Sequence, residues 1–165
     1  MISSADIKAI QDVGGTSRRY ALILDHVEDK GRYCAALDNV YSNIKKLCDF
    51  WINREPTVHV QVERQEWVAI HLTSRRLKNS QERNNIMISS VDFEAIRQVG
   101  GTNCTYILIV DSIPGLSHRY CIAQKNSHRE IMQIASNIRD RNQAIYMQVA
   151  PQEWVAIDFT PITII

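Results

Sequence analysis

Few side chains of this 165-residue chain stand where chemistry would need them, and most of those occur twice. Arg32 opens Arg32-Tyr33-Cys34 and Arg119 opens Arg119-Tyr120-Cys121, while Arg54 and Arg141 form a second pair. A planar guanidinium fork holds carboxylate or phosphate bidentately, so paired arginines brought together could grip a small anion such as a nucleotide. Ion pairs with Asp25 and Asp111 account for Arg32 and Arg119 equally well. The other repeated motif is Gln65-Glu66-Trp67, matched by Gln152-Glu153-Trp154. Trp67 and Trp154 could stack on a planar ligand with Glu66 and Glu153 beside them. The alternative, which we favour, packs both indoles in a core.

Catalytic patterns are thinner. His26, His59, His71, His118 and His128 lack HExxH or any other ligand spacing, and none recurs at the same place in the other half. No GxSxG elbow is present, and no cysteine has a histidine partner in sequence. Gly14-Gly15-Thr16 and Gly100-Gly101-Thr102 follow a helix and precede a strand, the reverse of a phosphate loop, so they read as helix stops. Cys34, Cys48, Cys104 and Cys121 read as small buried hydrophobes. A non-enzymatic protein with neither metal nor cofactor is expected.

These residues ride on a repeat. Met1-Ile2-Ser3-Ser4 to Asp25 matches Met87-Ile88-Ser89-Ser90 to Asp111, and the match resumes one residue out of step at Arg32 and Arg119. Each copy opens with a capping-box form, Ser3-x-x-Asp6 or Ser89-x-x-Asp92, whose carboxylate answers the cap amide. Apolar residues follow at Ile7, Ile10 and Val13, or Phe93, Ile96 and Val99, giving a helix of about three turns. Tyr20–Leu24 and Tyr106–Val110 are apolar on both faces, which suits interior strands. Return strands run from Arg32 and Arg119 after turns holding Asp29-Lys30-Gly31 and Pro114-Gly115.

A second helix starts near Asn39 or Asn126, with Ser127-x-x-Glu130 as a capping box in the second copy. Its buried stripe is expected at Ile44, Leu47, Cys48 and Trp51, and at Ile131, Ile134, Ala135 and Ile138. Val58-Val60-Val62 and Ile145-Met147-Val149 alternate with His59-Gln61 and Tyr146-Gln148, the pattern of strands. A turn then leads into the Trp strand. The fold class expected is α+β, a tandem duplication of an α-β-β-α-β-β unit packed as an intrachain pseudo-twofold dimer. Unit 1 spans 1–73, a polar linker 74–86, and unit 2 87–165 with an extra apolar strand or tail at Pro161 to Ile165. The order of elements is similar to that of roadblock-like and profilin-like domains, often protein-interaction modules, which implies a protein partner.

Composition supports a binding role. With 19 Lys and Arg against 18 Asp and Glu the net charge is +1, which argues against broad phosphate neutralisation, so nucleic acid is a third reading behind protein and small anion. Neither a signal peptide nor a membrane-length apolar run is visible, and a cytoplasmic protein is expected. The expected function is protein–protein binding or self-association on the duplicated scaffold. The alternative is sequestration of a small anionic ligand between the repeats by the paired arginines, glutamates and tryptophans.

Overall fold

The computed structural model describes residues 4–13, 17–26, 28, 31–71, 90–99, 103–111, 119–138, 141–159 and 161–163. Several sequence expectations fall outside them. These are the cap serines Ser3 and Ser89, the glycine stops Gly14-Gly15 and Gly100-Gly101, the Pro114-Gly115 turn, the 74–86 linker and the end Ile164-Ile165. The fold is α+β, and the chain divides into two compact units. The first comprises Met1–Arg76 with Thr160–Ile165, and the second Leu77–Phe159.

In the first unit, α1 (Ser4–Asp12) precedes β1 (Tyr20–Asp25) and β2 (Arg32–Asp38). Then come α2 (Tyr41–Phe50), a 3-10 turn (Ile52–Arg54), β3 (Thr57–Glu63) and β4 (Glu66–His71). The strands are antiparallel in the order β2-β1-β3-β4, and β9 (Ile162–Thr163) pairs with β4. The apolar tail of the sequence thus contributes its strand to the first unit.

Strand β1 is central, and Tyr20 to Leu24 are all buried. Because successive side chains point to opposite faces, it needs cover on both. Helix α1 covers one face, where Ala9 and Ile10 pack on Ala21, Ile23 and Trp67. Helix α2 covers the other, where Tyr41 meets Tyr20 edge-to-face with centroids 5.7 Å apart. A bulge between Leu22 and Ile23, opposite Ala35, breaks the β1–β2 register.

The second unit repeats this order as α3 (Ser90–Gln98), β5 (Tyr106–Asp111), β6 (Arg119–Lys125), α4 (His128–Ser136), β7 (Gln143–Ala150) and β8 (Glu153–Ile157). Its strands run β6-β5-β7-β8, again antiparallel, with the corresponding bulge between Leu108 and Ile109. Ala95, Ile96, Ile107, Ile109, Tyr146 and Trp154 form its core on the α3 side.

Two local expectations are corrected. Asn39 and Asn126 do not cap the second helices; their Oδ1 atoms accept from the amides of Arg19 (2.9 Å) and Thr105 (3.0 Å). Ser127 is the cap of α4, accepting from Glu130 N, whereas α2 starts at Val40 without a side-chain cap. There Asp38 Oδ1, two residues earlier, accepts from the Val40 amide at 2.8 Å and fixes the entry of the chain. Leu47 is also not part of the buried stripe of α2; Tyr41, Ile44 and Cys48 are. His59 of β3 and Tyr146 of β7 point inward. Both are buried under the first helix of their unit, because a carboxylate on that helix bonds them.

Candidate functional site

The repeated polar residues converge on the face of each sheet that the first helix covers. Asp6 lies on the inner side of α1, in phase with Ala9 and Ile10, and is buried. Its Oδ1 accepts from Arg32 Nε at 2.5 Å, and its Oδ2 accepts from Thr57 Oγ1 at 2.8 Å and lies 3.4 Å from His59 Nε2. Arg32 also donates from Nη1 to Asp25 Oδ1 at 2.7 Å and from Nη2 to Thr57 Oγ1 at 3.0 Å. Strand register explains the assembly: Asp25 faces Arg32, Ile23 faces Thr57 and Ala21 faces His59, so all project to the α1 side.

The second unit builds the same knot with different parts. Asp92 accepts from Arg119 Nε at 2.6 Å through Oδ1 and from Nη2 at 3.3 Å through Oδ2, and the Tyr146 hydroxyl also donates to Oδ2. Arg119 Nη1 reaches Asp111 Oδ1 at 3.0 Å and the Asn142 carbonyl at 2.7 Å. Tyr146 thus replaces His59, and Ala144 stands where Thr57 does.

Electrostatics agrees with a structural knot. Burial by itself would raise the Asp6 carboxyl, but hydrogen bonds from His59, Thr57 and Arg32, with the Arg32 charge, outweigh it and hold the group well below the usual carboxylate range. Burial disfavours charge on both arginines, yet their carboxylate partners more than offset it and raise Arg32 and Arg119. Tyr146 is pushed far above the ordinary phenol range by burial and by its bond to Asp92. Burial also raises the Cys34 and Cys121 thiols, which donate to the carbonyls of Ala36 and Ala123.

The second arginine pair meets the first at one residue per unit. Arg54 donates to the Asp25 carbonyl from Nε at 3.0 Å and Nη2 at 2.5 Å, while Arg141 reaches the Asp111 carbonyl at 3.4 Å. Each also donates to a tyrosine hydroxyl, Tyr33 at 3.0 Å and Tyr120 at 3.1 Å. Asp25 and Asp111 are therefore clamped by both arginines of their own unit, through the side chain and the main chain. Trp67 is fully buried and Trp154 is 7 % exposed, so core residues cover ring faces that a planar ligand would need. Glu66 and Glu153 open β4 and β8, next to those indoles in sequence but at the end of each turn. Among the described residues, no group of three His, Cys, Asp or Glu could hold a metal, and no helix is long and apolar enough to cross a membrane.

A surface that the sequence stripe concealed lies on α2. Four large apolar side chains are exposed among the described residues, and three sit on or at the start of this helix: Val40 (51 %), Leu47 (39 %) and Phe50 (73 %). Aromatic and cationic groups continue it inward. Phe50 packs edge-to-face on Trp51 at 4.8 Å, and the Arg54 guanidinium lies 5.1 Å from the Trp51 centroid and 5.5 Å from that of Tyr33. His26 stacks on Tyr33 at 4.5 Å. The counterparts of Val40, Phe50 and Trp51 in the second unit are Ser127, Asn137 and Ile138. The missed signal was divergence, a Phe-Trp pair present in one half alone.

Comparison with known protein families, curated proteins and solved structures finds no match to this chain, so its similarity to roadblock-like and profilin-like domains rests on element order alone.

Proposed function

We propose that the protein acts by binding a protein partner, without chemistry of its own, on a scaffold made by tandem duplication of an α-β-β-α-β-β unit. The observation that carries this reading is the exposed apolar face of α2, backed by the Phe50-Trp51-Arg54-Tyr33 stack. Trp, Tyr and Arg on a rigid base with apolar neighbours are the residue types that dominate binding energy at protein interfaces. Mutual packing already orders Trp51, Tyr33 and Arg54, so little side-chain entropy remains to be lost on association.

The duplication reading draws its support from the knots. Asp6, Asp25, Arg32 and Arg54 correspond to Asp92, Asp111, Arg119 and Arg141 and play matching parts. Residues held in both halves maintain the fold, which leaves recognition to residues that differ. Arg32 and Arg119 bear on the anion alternative, since their side chains are only 13 % and 11 % exposed and each already holds two carboxylates of its own unit.

Affinity capture followed by native mass spectrometry tests the proposal. Wild-type protein is expected to carry a stoichiometric protein partner that a variant with Leu47→Asp and Phe50→Asp fails to retain. Recovery of the wild type alone, or equal retention by the variant, overturns it.

A further inference from the structure

We infer that the first unit also holds a small-molecule site for a hydroxyl-bearing phosphate monoester, in the cleft between the segment entering β1 and the β3–β4 turn. This goes beyond the protein-binding reading and uses a different surface.

The cleft rests on a scaffold that both units build alike. Gln61 Nε2 donates to the Arg18 carbonyl at 2.9 Å, and its Oε1 accepts from the Gln65 amide at 2.5 Å. One carboxamide therefore ties the entry of β1 to the β3–β4 turn, where Gln65 takes a left-handed φ of 61°. Gln148 does the same, bonding the Cys104 carbonyl at 2.9 Å and the Gln152 amide at 2.7 Å, with Gln152 at φ 59°. Both backbones are braced by the same bonds, so differences between the two clefts come from the side chains that line them.

Those differences are large and have one sense. The cleft of the first unit has a volume of about 790 Å³, against about 330 Å³ in the second. Arg19, Glu63 and Arg64 line the first. Their counterparts Thr105, Ala150 and Pro151, all uncharged, line the second. The second unit thus has a neutral, tight turn pocket, and the first a wider one with two guanidiniums and one carboxylate.

This inventory selects the ligand. Two guanidiniums match a phosphate monoester, whose charge near neutral pH is about −1.5 to −2, better than they match a single carboxylate. Asn39 accepts from the Arg19 amide through Oδ1, which leaves its Nδ2 as a donor. Ser17 adds a hydroxyl to the lining, and Glu63 can accept from vicinal hydroxyls of the ligand. Among the described residues no aromatic side chain lines the cleft to stack a base, and a sugar phosphate fits better than a nucleotide.

The test is a titration of full-length, isotope-labelled protein with glucose 6-phosphate, glucuronate and inorganic phosphate, followed by amide chemical shifts. Saturable shifts confined to residues 17–19, 39 and 61–65, tighter for glucose 6-phosphate than for the other two, are expected. Residues 103–105 and 148–152 should stay still, an internal control. The variant Arg19→Thr, Glu63→Ala, Arg64→Pro imports the lining of the second unit onto the shared scaffold and should weaken binding at least tenfold with an otherwise unchanged spectrum. Should it misfold, Arg19→Thr alone is read for the same loss. The variant with Leu47→Asp and Phe50→Asp should bind glucose 6-phosphate normally, which separates this site from the protein-binding face. No saturable shift, equal shifts in both clefts, glucuronate binding as tightly as the phosphate, or binding that survives Arg19→Thr would overturn the inference.

Discussion

Replacing Arg32 by Met tests whether the repeated polar residues hold the fold. The substitution keeps the apolar stem of the side chain but removes the cation that faces Asp6 and Asp25. Arg32 and Asp6 side chains are 13 % and 6 % exposed, so the carboxylate left behind cannot recover its hydration. Breaking a buried pair from one side costs about 3–5 kcal/mol, whereas an exposed pair costs about 0–1 kcal/mol. A unit of about 80 residues has a total stability of roughly 4–12 kcal/mol, so the loss is a large part of the whole. Hydrogen exchange read by mass spectrometry resolves it by unit. Amides of α1, β1 and β3 should open on the order of 150- to 4,000-fold more often, while those of α3, β5 and β7 keep their protection. Adding Asp6→Asn to Arg32→Met should restore part of the loss, because the uncompensated charge is gone. A change below about 1 kcal/mol, or no recovery in the double variant, would refute the reasoning.

Other consequences follow from the same contacts. The Asp6 carboxyl is held far below its unfolded value, so the stability it contributes is complete above about pH 4 and declines as pH falls below that. Acid titration of exchange in the first unit should show this decline, and Asp6→Asn should flatten it. Tyr146 is shifted the other way, so its contribution is intact below about pH 10 and is lost as pH rises beyond. Tyr146→Phe should cost about 1–3 kcal/mol in the second unit and remove that alkaline loss, as measured by urea melts at several pH values. Gln61→Ala removes both bonds that tie the β1 entry to the β3–β4 turn and should speed exchange of the Gln65 amide while that of Gln152 is unchanged.

The sequence carried the architecture further than it carried the surface. Tyr20–Leu24 and Tyr106–Val110 read as interior strands because both of their faces are apolar, and they are buried throughout apart from a few per cent of the tyrosines. The polar knots were less legible. Asp6 and Asp92 fit a capping box, yet their phase with Ala9-Ile10 and Ala95-Ile96 places them on the inner side of the helix. That phase was the available signal. Sequence offers no way to see that His59 and Tyr146 reach these carboxylates, since 53 and 54 residues separate the partners and only strand register brings them together. For α2, helical spacing marked Leu47 as core, but Tyr41, Ile44 and Cys48 already fill the contact with the sheet, which leaves Leu47 and Phe50 outside. Periodicity locates an apolar face without telling whether a protein's own sheet or another protein covers it.

The central claim is that the exposed face of α2 is where a protein partner binds. Isothermal titration of the captured partner against wild type, the variants Leu47→Asp and Phe50→Asp, and a variant with Glu94→Lys on the exposed side of α3 tests it most directly. Hot-spot residues contribute about 2 kcal/mol or more each, so either α2 substitution should weaken binding by at least roughly thirtyfold, and Glu94→Lys should leave it unchanged. Equal affinity across all four proteins would contradict the account.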